Sequence, residues 1–197
     1  MRFYRSLIAL ITVALSAAAC TSDEVATATP TPVNTGAVVD SAPYLCKLVP
    51  AQAFRLVSGL TKPLSEEVAG TDDNGDCSTP GSMPESLRVL WIQESPESKQ
   101  DYIDYLMDDR RKVFTRHEAT KLPSDLGEGY AAYFSIVQVD DQPYQVTARF
   151  SCGGKDRIID LNLVQVAKGR DGIRDMIELM RIAQKRYGQL YTCTPGK

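Results

Sequence analysis

Residues 144–163 read YQVTARFSCGGKDRIIDLNL, and the architecture follows from that run. Val146, Ala148, Phe150 and Cys152 alternate with Gln145, Thr147, Arg149 and Ser151; beyond a turn at Gly153-Gly154-Lys155, Ile159, Leu161 and Leu163 alternate with Asp160 and Asn162. Successive side chains of a strand point to opposite faces, so a period of two predicts sheet strands with one apolar and one more polar face. Working outward, a strand over 130–139 turns at Asp140-Asp141-Gln142-Pro143 into the first of these, and the last strand runs over 157–166. Val164 and Val166 break into the polar face near that end. The result is a three-stranded meander.

The flanking stretches supply helices and one more strand. Over 86–93, Leu87, Val89 and Trp91 share a face, while Leu90 and Ile92 make the other face apolar too. Ser95-Pro96 then gives an N-cap and a first helical position. The helix that follows buries a stripe of Tyr102, Ile103, Leu106, Met107, Arg110, Val113 and Phe114. Acidic residues lead it and basic residues close it, which complements the helix dipole. A last helix over 171–187 buries Ile173, Met176, Ile177, Met180, Ala183 and Tyr187, and an extended tail carries Cys193. Near the start of the fold, 45–59 reads as a short helix with Pro50 in its first turn and Gly59 at its end. The expected fold is α+β: an antiparallel sheet of four to five strands with two long helices and a short N-terminal helix packed on it, one domain over 43–197.

The chain has 197 residues, 43% hydrophobic and 24% charged, which suits one globular domain with a real core. Its net charge is −3, and no dense basic cluster stands out, so nucleic-acid binding is disfavoured. The first five residues are positively charged, and an apolar run from Leu7 to Ala19 follows. As a helix that run spans about 20 Å, short of a bilayer core of about 30 Å, so 1–19 reads as a signal peptide rather than a span. Residues 20–42 are rich in Thr, Ala, Val and Pro and cannot bury enough apolar surface to fold, which predicts a flexible tether.

Ala17-Ala18-Ala19-Cys20 resembles the cleavage site of bacterial lipoprotein signals. The resemblance implies a diacylglycerol on the Cys20 thiol and residence on the outer face of the cytoplasmic membrane. Ordinary cleavage after Ala19 is the competing reading, but it would strand a reactive thiol at an exposed terminus. Setting Cys20 aside leaves an even set, Cys46, Cys77, Cys152 and Cys193, able to form two disulfides outside the cytoplasm. Three connectivities are open, and the sequential one, Cys46–Cys77 with Cys152–Cys193, is favoured. Leu45-Cys46-Lys47-Leu48-Val49-Pro50, a second cysteine at 77 and Leu126-Gly127-Glu128-Gly129-Tyr130 also resemble an uncharacterised family of actinobacterial lipoproteins. That likeness implies a fold and an address, not an activity.

Motifs for chemistry are sparse. No G-x-S-x-G, Walker or dinucleotide pattern occurs. His117 is the sole histidine, in step with the apolar stripe of its helix. Asp72, Asn74 and Asp76 alternate as calcium-loop ligands do, but Cys77 and Met83 stand where that loop needs glycine and a bidentate glutamate, so turn chemistry is favoured. Asp108-Asp109-Arg110-Arg111-Lys112 reads as a solvated helix face. No catalytic residue, metal or cofactor is expected. The reading is a binding or interaction module whose candidate ligand face is Gln145, Thr147, Arg149, Asp160 and Asn162, with an envelope lipid, glycan or protein as partner. The alternatives are an envelope hydrolase or transferase and an accessory subunit of a membrane complex.

Overall fold

A computed structural model describes residues 35–80, 85–93, 100–135 and 142–196. In chain order the elements are β1 (Tyr44–Leu45), β2 (Val49–Pro50), α1 (Ala51–Ser58), β3 (Glu67–Gly70), β4 (Asn74–Ser78), β5 (Leu87–Gln93) and α2 (Gln100–Thr115). After these come β6 (Thr120–Lys121), a 3-10 turn (Ser124–Leu126), β7 (Glu128–Tyr133), β8 (Tyr144–Cys152), β9 (Lys155–Leu163) and α3 (Gly172–Leu190). The class is α+β, with three helices among the described residues. Leader, Cys20, most of the tether, Ser95-Pro96, the end of the first meander strand and Asp140-Asp141 lie outside the described residues.

β8 and β9 pair from Tyr144↔Leu163 to Cys152↔Lys155 and leave a two-residue loop. Gly153 and Gly154 occupy it with φ of 64° and 72°, the left-handed conformations that a tight hairpin of this hand demands. The whole sheet is antiparallel, in the order β3-β4-β5-β9-β8-β7-β6. Among the described residues it therefore has seven strands, not four to five, with β1 and β2 forming a separate two-stranded ribbon. The additions have a physical reason for being hidden. All four residues of β3 are exposed, and β4 reads NGDCS, a composition of turn-formers. The Thr71 hydroxyl accepts from the amides of Asp73 and Asn74, each at 3.2 Å, so the acidic turn cluster is the tip of the β3–β4 hairpin.

The first helix starts later than its sequence suggests. Cys46 and Lys47 take positive φ, the Leu48 amide donates to the Leu45 carbonyl at 3.1 Å, and the chain doubles back as β1–β2 before Pro50 caps α1. Gly59 ends α1 in the left-handed region. α3 begins where expected, with the Asp171 carboxylate accepting from the Arg174 amide at 3.1 Å, but runs one turn past Tyr187. The tail is not extended. It turns back so that Cys193 N–H donates to Gly188 and Gly196 N–H to Ser151.

Side-chain alternation sorts the sheet into two covered faces. Val89, Leu161, Val146 and Ala148 meet Phe54 and Val57 of α1 and Met176, Met180 and Tyr187 of α3, forming the main core. Phe54 and Val57 are fully buried, which is worth roughly 1.5–3 kcal/mol each. The opposite face carries α2. Ile103 and Met107 sit on Ile158, and Phe114 sits among Tyr130, Ala132 and Phe134. The two disulfides are Cys46–Cys77 and Cys152–Cys193. Residues just upstream of 43 already touch the domain: Arg170 donates to the Gly36 carbonyl at 3.1 Å and Lys185 to Asp40 at 2.7 Å.

Candidate functional site

α2 crosses the more polar sheet face over a layer of paired charges. Asp160, at the centre of β9, accepts from the Thr147 hydroxyl at 2.5 Å and from two nitrogens of the Arg110 guanidinium. Burial works against the charge on Arg110, but hydrogen bonding and attraction from Asp160 more than offset it and hold the guanidinium above its ordinary range. One flank of α2 is closed by two further clamps. Arg149 grips Asp156 and Asp104, and Arg111 spans Asp108 and Glu128.

The other flank is open. Between the C-terminal half of α2 and strands β8 and β9 lies a groove of about 260 Å³. Asp109 and Val113 form its helical lip, Arg110 and Asp160 its floor, and Gln145 and Asn162 its sheet wall. Gln145 and Asn162 face each other in register. Gln145 donates its amide to the Gln142 carbonyl at 3.1 Å, and Gln142 in turn donates to Glu85, so this wall is fixed from behind. Asn162 is half-buried and its amide makes no hydrogen bond among the described residues.

Of the five candidate face residues, Gln145, Thr147, Asp160 and Asn162 therefore line one groove. Arg149 does not join them: it serves the closed flank. The face is also not an open sheet surface, since Thr147 is 1% and Asp160 8% exposed beneath α2. Sequence reasoning missed the contribution of α2 because Asp109 and Arg110 sit in a charged run that looks solvated. The available signal was Arg110 itself, in step with Met107 and Phe114 on the apolar stripe.

Other chemical candidates are absorbed by structure. Cys46, Cys77 and Glu66 come together, but both sulfurs are in the disulfide and Glu66 accepts the Cys46 amide at 3.1 Å. Asp76 binds Arg88, and Asp72 meets Lys47 and Tyr191. His117 lies 4.5 Å from the Phe134 ring and makes no hydrogen bond to a carboxylate among the described residues. A hollow of about 810 Å³ lies between the chain at 36–41 and α1, with Leu56 and Leu60 in its wall. No helix among the described residues is long and apolar enough to cross a membrane. No family model matches the chain, and neither a curated protein nor a solved structure shows a significant match to it.

Proposed function

We propose that the chain is a lipid-anchored binding module of the bacterial cell envelope, held outside the cytoplasm through Cys20, and that the α2–sheet groove is its recognition site. The observation that carries the reading is the half-buried Asn162 amide, which faces the groove with its hydrogen-bonding capacity unused among the described residues. A concave wall with a few convergent polar groups suits a ligand, and the Asn162 amide, with no protein partner among the described residues, is open to one. The Arg110–Asp160–Thr147 assembly holds the floor rigid, and rigidity limits the ordering cost of binding. The signal-like N-terminus and the likeness to actinobacterial lipoproteins support the address.

Two measurements test the two halves. Cells fed a tagged fatty acid are expected to label the wild-type chain and not Cys20→Ser; unlabelled wild-type protein in the medium overturns the anchor. A photoreactive residue at Val113 is expected to capture envelope material in intact cells, while one at Gln189, on α3, captures none. Equal yields from both positions, or none from either, overturn the groove.

A further inference from the structure

We infer that the groove takes a neutral, polyhydroxylated ligand, a single sugar ring in size, rather than an anionic headgroup; this rests on the groove being the recognition site. The charges decide the class. Among the described residues that line the groove the one cation, Arg110, is already committed to Asp160 through two guanidinium nitrogens. Asp109 stands at the lip, exposed, with no hydrogen bond or ion pair of its own among the described residues. Arg110, Asp160 and Asp109 therefore leave the groove with one net negative charge. A phosphate or carboxylate entering would meet that charge without a free cation to balance it.

The remaining polar atoms suit hydroxyl groups. The Asn162 amide offers a donor and an acceptor, the Gln145 carbonyl oxygen is an acceptor, and the Asp109 carboxylate adds two more. A hydroxyl both donates and accepts, so neighbouring hydroxyls on a ring can satisfy an amide and a carboxylate together. Val113 and Phe114 supply an apolar strip against which the C–H face of such a ring can rest. Tyr102 lies on the same side of α2, at the 102, 106, 109, 113 spacing, and is 45% exposed. A volume of about 260 Å³ falls below the ~300–1,000 Å³ of pockets for drug-sized molecules, so one ring is the natural occupant.

The test is saturation-transfer NMR on the full-length protein, purified from membranes in detergent micelles. The probes are glucose, galactose, mannose, arabinose and N-acetylglucosamine, against glucuronate and inorganic phosphate. Transfer to at least one neutral sugar is expected, weakened about tenfold in affinity by Asn162→Ala and by Asp109→Ala, with no response from either anion. Retention of the Trp91 near-UV signal in both variants shows that the fold survives. If an anion responds and both variants abolish the response, the ligand class is overturned while the groove stands as a site. If no probe responds with the wild-type protein, or a responding sugar binds both variants as tightly as the wild type, the sugar assignment is overturned, and capture at Val113 decides separately whether the groove binds anything.

Discussion

Asp160 is approached from two directions, by the Thr147 hydroxyl on the neighbouring strand and by the Arg110 guanidinium from α2 above. Taking away either member of the Arg110–Asp160 pair leaves the other's charge in a poorly hydrated layer. Asp160→Ala is therefore expected to cost about 3–5 kcal/mol, read from the urea midpoint, because Arg110 is stranded. Replacing Arg110, Asp160 and Thr147 together by Met, Leu and Val removes all three polar groups and should recover most of that loss, although it destroys the groove floor. Gly75 is a second decisive position. A methyl group there would collide with the Trp91 ring, so Gly75→Ala must displace the indole and its 2.9 Å hydrogen bond to the Thr71 carbonyl. A loss of about 1–3 kcal/mol and a shifted fluorescence maximum are expected; Trp91 is the sole tryptophan, which makes the readout clean. At this scale, alternation placed Gln145, Thr147, Asp160 and Asn162 on one face correctly. Which of them would be buried depended on where α2 crosses, and no pattern within β8 or β9 records that.

α2, α3, β8 and β9 are long, and each buries one face against a single partner layer, so each shows its period plainly. β3 and β4 do not. β3 exposes every residue, and β4 is a strand because β5 pairs with it and Cys77 is tied to Cys46 across the core, not because its residues prefer extended backbone. The end of α3 shows a further consequence of long-range packing. Tyr187 meets Phe150 edge-on at 5.7 Å and stacks on Tyr191 at 4.4 Å, and the Tyr191 hydroxyl reaches Asp72 at 3.4 Å. Burial, reinforced by the charge of Asp72, pushes the Tyr191 hydroxyl up to about 12. Its neutral form is thus favoured by folding. The contribution is complete below about pH 10, where the unfolded phenol titrates, and is lost as pH climbs toward about 12. Unfolding midpoints measured from pH 8 to 11.5 should fall over the upper part of that range, and Tyr191→Phe should flatten the fall; an unchanged slope would show that the tyrosine carries none of it.

Across the whole molecule, the two disulfides join segments that secondary structure alone leaves loosely placed. Their sequence separations of 31 and 41 correspond to about 4 kcal/mol each in a chain-entropy account. Cys152→Ser with Cys193→Ser is expected to lower stability by up to that amount and to expose the tail to protease first. Sequential pairing was within reach of the sequence because each bridge staples a piece of irregular chain to a neighbouring strand. The covering of both sheet faces was not, since α2 settles on a surface whose alternation looks polar. The chain at 36–44 is fastened to α3 and to the segment leading into it, through Lys185–Asp40, Arg170–Gly36 and the Arg186 guanidinium over the Tyr44 ring. The groove lies on the far side of the sheet. Tension applied to the chain at Gly36 thus follows a load path into α3 and its fastenings while the walls of the groove stand outside it, so a pull from that end would loosen the moorings before it distorted the pocket.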